Sequence, residues 1–304
     1  MVVIFFRRTP GGGTKVPKNI RRSPVGWCVI WLLSALVSSV AATGQSPSAA
    51  AAQPAELVRT AITNELRSAE SAAYFMWLDH VQKPSGSVAK QMVATSQGLI
   101  ARTVAIGDKS LTPEQRQQED ERLNLLLNPA RMREKAQRQK EDRQRLEKLF
   151  QVLPDALVYE YATTETTAKG HQIVELDFLP NPHFTPPSYE MLIFRGMKGH
   201  IWIDTTAMRI VRIEGALFKD ITIGWGIVGS LERGGHVLLE QEEVTAGHWD
   251  ITQLQLTVKG KLFLIKQFHI DMVEKDSDFR SIPKMNVQEA IELLRKSEQR
   301  VPQT

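Results

Sequence analysis

The feature that most constrains the fold of this chain is the alternating stretch GHIWIDTTAMRIVRIEG at 199–215. Apolar and polar residues alternate up to Asp204, and the alternation resumes after Thr-Thr-Ala. Because successive side chains of a strand point to opposite faces, this period of two predicts a β-hairpin that turns at Asp-Thr-Thr-Ala. The same period places Ile210 and Ile213 on opposite faces of the second strand.

The period of two recurs along most of the chain. Its clearest example is HWDITQLQLTVKGKLFLIKQFHIDMVEKD at 248–276, which predicts two long strands that turn at Lys259-Gly260. One apolar and one polar face are typical of an antiparallel sheet that covers a single core or cavity. Further strands are predicted at 74–81, 87–97, 98–108, 157–166, 169–179 and 191–196.

Two helices are predicted near the ends of the folded region. Pro54 suits the first turn of a helix, and the apolar residues that follow it recur at a helical spacing. Near the C-terminus, Asn286 and Glu289 predict a capped start for the short helix VQEAIELLRK.

A third helical segment at 112–150 interrupts the strands. Thr112 and Gln115 form a capping box, and a break is expected at Asn128-Pro129 because proline disfavours a helical conformation in the residue before it. The portion RMREKAQRQKEDRQRLEKLF has eight basic and four acidic residues. It is either a cationic surface for an anionic lipid or a partner, or a solvated helical arm.

The N-terminus has the pattern of an export signal. Six positive charges and no acidic residue accompany the apolar run VGWCVIWLLSALVSSVA at 25–41, and Ser39 and Ala41 suit a cleavage site. We therefore expect residues 1–41 to be a secretory signal peptide and the protein to be periplasmic. The alternative is an uncleaved anchor through 25–41, although a membrane-spanning helix needs about 20 apolar residues.

Loss of the leader would change two global properties. It would leave 32 basic and 34 acidic residues, a net charge of −2 instead of +4, so the basic balance gives no support for a nucleic-acid partner. It would also remove Cys28, the sole cysteine, so disulfides and thiol chemistry are not expected. We expect neither a cofactor nor stable self-association; the mature chain is predicted to be a monomer.

Four segments follow from these patterns. Residues 1–41 form the leader, and the Ala-, Ser- and Pro-rich residues 42–53 form a flexible linker. A single ligand-binding domain is predicted at 54–285, with the helical insertion at 112–150. Residues 286–304 form a C-terminal helix and tail.

A nucleotide site is the first catalytic or cofactor-binding motif that the sequence suggests. GWGIVG at 224–229 matches the dinucleotide pattern G-x-G-x-x-G, which requires a helix that opens at the third glycine. Here LERGG follows, and its glycine pair would end such a helix after four residues. The other interpretations are a glycine turn, a bulged strand, or an entrance to a cavity lined by Trp225.

Metal and carboxylate sites are also conceivable. His248 and Asp250 lie two residues apart on a predicted strand, and His269 and Asp271 repeat that spacing on the next one, so the four could meet at a metal. No motif for a catalytic serine is present, and no catalytic residue is assigned. Paired carboxylates of the kind that hydrolyse glycosides could come from Asp177, Glu240, Glu242 and Glu243.

The hairpin resembles a segment of the LolA-like, outer-membrane lipoprotein-sorting proteins of bacteria. In those families a G-x-x-W-I-D strand is followed by a strand similar to P-V-R-x-E, and here Gly199 to Asp204 and Arg209 to Gly215 have that form. The resemblance is specific over about 20 residues, and its order of elements extends loosely over 54–285. It implies an α+β fold in which a curved antiparallel half-barrel is closed by a few helices.

The resemblance further implies an apolar cavity for acyl chains. Its candidate lining residues are Trp202, Trp225, Leu254, Leu256, Leu264 and Phe268. The signature itself is interpreted as structural, formed by cross-strand contacts among Trp202, Asp204, Arg212 and Glu214. An arginine placed for the lipid, which the lipoprotein carriers have, has no clear counterpart here, because Arg195, Arg209 and Arg212 share only their position on strands.

The expected function is that of an exported, non-enzymatic protein that binds a lipid, a lipoprotein acyl chain or another hydrophobic ligand. A second hypothesis is a regulatory module of the same fold that binds an envelope protein through its sheet edge or the helical segment. A third is a secreted hydrolase with a carboxylate or metal site.

Overall fold

The computed structural model describes residues 53–70, 74–224, 228–263 and 266–298. The predicted leader, nearly all of the linker and the last six residues lie outside these ranges. No helix within them is long and apolar enough to cross a membrane.

Strands dominate the described part of the chain. In order, the elements are α1 (Pro54–Glu70), β1 (Phe75–Lys83), β2 (Gly86–Thr95), β3 (Gly98–Ile106), β4 (Lys109–Ser110), α2 (Pro113–Leu125), α3 (Pro129–Ala156), β5 (Leu157–Thr166), β6 (Gln172–Pro180), a 3₁₀ helix (Glu190–Gly196), β7 (Met197–Asp204), β8 (Arg209–Leu217), β9 (Ile221–Ile223), β10 (Gly229–Leu231), β11 (His236–Thr245), β12 (His248–Leu262), β13 (Lys266–Ser281) and α4 (Val287–Glu298).

All of these strands join one antiparallel sheet. Its order is β4-β3-β2-β1-β13-β12-β11-β8-β7-β6-β5, and the short β9–β10 hairpin pairs with the far end of β12. The sheet is curved, and it does not close on itself, since β4 and β5 form its two edges. The predicted α+β class, with a curved antiparallel sheet and a few helices, is confirmed.

Two facing glycines lie on the neighbouring strands β7 and β8. Gly199 lies opposite Gly215 in the ladder. A Cβ atom on Gly199 would collide with the carbonyl oxygen of Glu214, and one on Gly215 would collide with Cε of Met197. Glycine inside a strand permits such close approach of a neighbouring backbone or side chain, so these positions let the two strands draw together.

The predicted hairpin is present, but the assignment of side chains to its faces is wrong. Ile203 pairs with Ile210 and Ile201 with Ile213, because the register shifts between Trp202 and Ile203. One extra residue on β8 forms a β-bulge, which turns the following side chains to the other face. Ile210 and Ile213 therefore both contact the same apolar cluster.

Helix α1 covers one face of the sheet at β6–β8. Val58 and Ile62 of α1 are buried against strand residues such as Leu176 and Ile201. The end of α3 joins the same cluster through Leu149, Phe150 and Val152.

The remaining helices pack at the other end of the sheet. Ile291 and Leu294 of α4 meet Leu123 of α2 on the face of β1–β3 that contains Val93 and Ile100. This face is opposite to the one that α1 covers. Met76 of β1 lies on the face under α4, and Val81 of β1 lies on the face that continues along the ladder to the strands under α1. The two residues are five apart in a regular strand, so their side chains point to opposite faces. The helices thus cover opposite faces at the two ends of the sheet.

The helix starts agree with the predictions. The Thr112 side chain accepts from the Gln115 amide and the Gln115 side chain accepts from the Thr112 amide, which is the predicted capping box. Asn128 caps α3 after the expected break, and Asn286 and Glu289 cap α4 reciprocally. Helix α3 continues beyond the predicted end at 150 to Ala156.

Two local predictions are wrong. Residues 191–196 form part of a 3₁₀ helix instead of a strand, because Met191 and Phe194 are both buried and their spacing of three matches one 3₁₀ turn. The chain does not turn at Lys259-Gly260, and β12 continues to Leu262. Gly260 instead lets the ring of Phe268 lie against the strand, since a Cβ atom there would be 2.8 Å from that ring.

Candidate functional site

Arg212 links the strands around the hairpin. Its guanidinium donates to Glu214 Oε2 at 2.7 Å and to Glu240 Oε1 at 3.2 Å. The same group lies 4.9 Å from the centre of the Trp202 ring, which is a cation–π contact. These hydrogen bonds and the ring contact hold the polar face of β7, β8 and β11 together.

Asp204 holds the turn of the hairpin. Its Oδ1 accepts from the amides of Thr206 at 2.8 Å and Ala207 at 2.9 Å, and its Oδ2 lies 2.5 Å from Nδ1 of His171. The side chain is 2% exposed. Both oxygens are therefore occupied by groups of this chain, which is a structural arrangement.

The predicted cavity residues do not share one face of the sheet. Leu254 and Leu256 are buried at 3% and 1% exposure, and they lie on the face that Ile201 and Ile213 occupy. Trp202 lies on the opposite, polar face. Trp225 and Leu264 lie outside the described residues.

Leu256 and Phe268 belong to a central cluster on β12 and β13. Its buried members are Leu256, Val258 and Met272, and Phe268 and Ile270 pack against them with residues of β1, β10 and β11. All members described by the structure are strand residues. The middle of the sheet thus has an apolar face that is formed without a contribution from the described helices.

An apolar tip, defined here as Val228 and Phe263, lies beyond one end of this cluster. The Phe263 amide donates to the Val228 carbonyl at 3.2 Å, so the residue that follows β12 contacts the residue that precedes β10. Phe263 is 69% exposed and Val228 is 38% exposed. Phe263 also has a positive φ of 50°, a left-handed conformation that is unfavourable for a bulky side chain.

Lysines surround the apolar tip. Lys261 and Lys266 occupy the last rungs of the β12–β13 ladder next to Phe263, and both are exposed. Lys259, two residues before Lys261 on the same face of β12, is also exposed. The tip therefore combines a solvent-exposed aromatic ring with positive charge.

A groove of about 630 Å³ lies between α3 and the segment that leads into the 3₁₀ helix. Leu149, Val152 and Met191 form its apolar part, and Arg145 and Lys148 lie at its polar side. Along α3, several charges are paired within the helix, such as Arg138 with Glu134 at 3.1 Å. The predicted cationic segment thus contributes to a groove and also has the internal ion pairs of a solvated helix.

The predicted metal set is not brought together. His248 and Asp250 are 3.8 Å apart, but they lie at the start of β12. His269 is paired with Lys259 much further along that strand, so the two histidine–aspartate pairs are at distant positions. The hypothesis failed because equal spacing within two strands says nothing about their register.

The predicted carboxylate pair is also separated. Asp177 lies on β6 and Glu240 on β11, with β7 and β8 between them. Three strand spacings amount to about 14 Å, which is too far for two glycosidase carboxylates.

Two other clusters of possible metal ligands were missed. One is solvent-exposed and comprises Glu175, Asp177 and His200, in which His200 Nδ1 lies 2.7 Å from Asp177 Oδ1 and 3.2 Å from Glu175 Oε1. The sequence signal for this cluster was the pair Glu175 and Asp177, two residues apart on β6. The neighbouring strand β7 supplies His200, so a local pattern could not reveal the whole cluster.

The second cluster comprises Asp79, which is buried, and Glu274 and Asp276, which are half-buried. Burial first, and then the charges of Glu274 and Asp79, raise the pKa of Asp276 to about 8. Glu274 and Asp276 are again two residues apart in the sequence. Asp79 comes from β1, nearly two hundred residues earlier, so only the ladder between β1 and β13 reveals the group.

The third glycine of the predicted nucleotide motif does not open a helix, and residues 225–227 of that motif lie outside the described residues. Gly229 begins strand β10, whereas the nucleotide fingerprint requires a helix at its third glycine.

Comparisons with known proteins add little to this geometry. No protein-family model matches the sequence, and no curated protein matches it. Among solved structures, the chain is similar to a DUF1329 family protein from Desulfovibrio piger, with 12% sequence identity and a TM-score of 0.27. That similarity covers 77% of this chain and 95% of the other. Likeness at this level does not bear on function.

Proposed function

We propose that this protein is an exported, non-enzymatic binding protein that takes up a lipid, a lipoprotein acyl chain or another hydrophobic ligand at a membrane surface. The observation that carries this proposal is the apolar tip of Val228 and Phe263 among exposed lysines. The LolA-like resemblance of the hairpin and the signal-like N-terminus are consistent with it.

The tip combines the two interactions that bind proteins to lipid surfaces. Burial of an exposed phenylalanine side chain contributes about 1.5–3 kcal/mol, and a lysine near an anionic membrane contributes about 1 kcal/mol. Phe263 is exposed and has an unfavourable backbone conformation, and strained residues of this kind cluster at functional sites. Such a tip can dock on a bilayer without a spanning helix.

The apolar faces on the sheet provide the second part of the proposal. The central cluster lies next to the tip through β10 and β12, since Leu231 pairs with Gly260. A chain drawn from the membrane would gain about 0.8 kcal/mol for each methylene group that it buries on such a face.

Native mass spectrometry tests ligand binding. The protein is expressed from its full coding sequence, purified without detergent, and extracted with solvent. We expect discrete added masses that extract as acyl lipids, and the protein mass also reports whether 1–41 is removed. A clean apo mass, with no uptake of offered phospholipid or lipopeptide, would contradict the proposal.

Vesicle sedimentation tests the tip. Phe263→Ser should reduce binding to vesicles of phosphatidylglycerol and phosphatidylcholine by about tenfold, the equivalent of about 1.4 kcal/mol. Leu179→Ser is the matched control, because Leu179 is 54% exposed on β6, away from the tip. Equal binding by the two variants would show that the tip has no part in docking.

A specific observation also favours the second hypothesis, an envelope interaction module. Strand β5 is an edge of the sheet, ten residues long, and exposed over most of its length. Exposed edges of this length can accept a strand from a partner chain. A stable protein partner that is lost on Thr164→Pro, in a protein that carries no lipid, would favour this function.

A further inference from the structure

Three carboxylates meet on one face of the sheet where β1 lies beside β13. Asp79 is paired with Asp276 in the ladder, and Glu274 is the next residue of β13 on the same face, opposite Val81. One oxygen atom from each carboxylate lies within 4.8 Å of one from each of the other two. Three regular backbone positions, on two rigid strands, therefore aim their acidic groups at one point.

The cluster is withdrawn from water. Asp79 is 7% exposed, and its Oδ1 atom is buried without a hydrogen-bond partner. Oδ1 of Asp276 is also buried and has no partner. A buried carboxylate oxygen normally has a hydrogen bond or a bound ion, because the loss of hydration is otherwise uncompensated. These two oxygen atoms lack any partner that the described residues supply.

A lysine of β2 reaches the cluster. Lys90 Nζ lies 3.4 Å from Oδ2 of Asp79, which leaves Oδ1 of the same residue unpaired. Asp250 adds further negative potential at Asp276. The accumulation of acidic groups destabilises the fully ionised cluster, so it requires either a shared proton or a bound cation.

We propose that Asp79, Glu274 and Asp276 bind a hard divalent cation, with Ca²⁺ as the preferred ion. Ca²⁺ takes oxygen ligands at about 2.3–2.6 Å in irregular geometries, so two of its ligands can be nearly 5 Å apart. The oxygen atoms of this cluster meet that limit. An all-oxygen set also disfavours zinc and copper, which prefer nitrogen and sulfur.

The ion has a structural consequence that is independent of ligand binding at the tip. It would join β1, the first strand along the chain, to β13, the last. This ladder is the seam between the N-terminal strands β1–β4 and the strands that follow α3. A cation here therefore locks the two parts of the sheet together, and the inference stands whether or not the protein binds lipid.

Calorimetry and thermal unfolding test the site in the full chain after treatment with a chelator. CaCl₂ should raise the melting temperature by about 5 °C or more once it is near 100 times its Kd, and a heat of binding should accompany the shift. Asp276→Asn and Glu274→Gln should each abolish both effects. Asp177→Asn, in the exposed cluster, should retain them.

The melting temperature of the metal-free variant is a second measurement, and a misfolded variant would not give the expected result. Without calcium, Asp276→Asn should melt at a higher temperature than the parent at pH 8, because it removes a repelling charge. A parent that shows no shift and no heat with Ca²⁺ or Mg²⁺ would overturn the proposal, and the cluster would then share a proton. Retention of the shift in Asp276→Asn would overturn it equally, because the ion would be bound elsewhere.

Discussion

Two acidic sites on the same face of the sheet differ in how their carboxylates are partnered. Under α1, Glu65 Oε1 accepts from the Ile210 amide at 3.0 Å and from Gln241 Nε2 at 2.9 Å, and its Oε2 lies 3.3 Å from Arg209. At β1 and β13, Oδ1 of Asp79 and Oδ1 of Asp276 have no hydrogen-bond partner among the residues that the structure describes. At the first site, called complete here, both carboxylate oxygens of Glu65 have partners, although Arg209 Nε is buried without one; at the second, incomplete site, the described residues leave two carboxylate oxygens without a partner.

Burial acts on both sites in the same direction. It is the largest cause that raises the pKa of Glu65, but the charge of Arg209 and two hydrogen bonds oppose it. For Asp276, burial and the neighbouring Glu274 and Asp79 all raise the pKa. Depth of burial therefore does not separate a structural carboxylate from a ligand-binding one. The distinguishing property is whether the fold supplies a partner for each oxygen.

The largest expected effect comes from removing the partner at the complete site. Arg209→Ala leaves Glu65 buried without its cation and also breaks hydrogen bonds to Asn64 O and Ser68 Oγ. We expect a loss of about 3–5 kcal/mol in the free energy of unfolding, measured with urea and circular dichroism.

Arg59, which lies on α1 like Glu65, provides the control for this variant. Its side chain is 43% exposed, and it pairs with Glu56 and Asp155 in contact with water. Arg59→Ala should therefore lower the free energy of unfolding by less than about 1 kcal/mol. Comparable losses for the two variants would show that burial of the Glu65 pair does not matter.

The next effect has the opposite sign and belongs to the incomplete site. The pKa of Asp276 is about 8 in the folded protein, above its ordinary value of 3.8. Between these pH values the folded state keeps a proton that the unfolded chain releases, so the metal-free protein loses stability as pH rises through that window. The slope is at most about 1.4 kcal/mol per pH unit.

Asp276→Asn removes this titration. We expect the metal-free variant to be more stable than the parent by about 1–3 kcal/mol at pH 8, with a flatter dependence of the free energy of unfolding on pH. Glu274, Asp79, Asp250 and Lys90 also face the site. A variant that is less stable than the parent at pH 8 would show that the ionised carboxylate has a partner in the fold.

The sequence predicts the complete site no better than the incomplete one. Its alternation identifies the hairpin and the meander, because a period of two follows directly from strand geometry. It fails at the bulge in β8, where one extra residue turns Ile213 to the face of Ile210. It fails again at 191–196, because a short apolar run fits a strand and a 3₁₀ helix equally well.

Site prediction fails for a different reason. Asp79 and Asp276 meet only because β1 pairs with β13, and that pairing is a property of topology that no local pattern contains. The histidine–aspartate pairs show the opposite error, since their equal spacing suggests a meeting that the register of β12 and β13 prevents. The sequence identifies residue types that can act as ligands, but the order and register of the strands determine which of these residues come together.

The smallest expected effect is at Lys90, whose ammonium group lies 3.4 Å from Asp79 Oδ2 in the incomplete site. Lys90→Met keeps the length of the side chain and removes the charge near Asp79 Oδ2. Because this pair is only partly buried and Asp276 holds a proton at neutral pH, we expect a loss of about 1 kcal/mol or less without calcium. Calcium affinity should instead rise several-fold, measured by calorimetry, since the ammonium group no longer competes for the carboxylate. Weaker calcium binding would mean that Lys90 orients Asp79 for the ion.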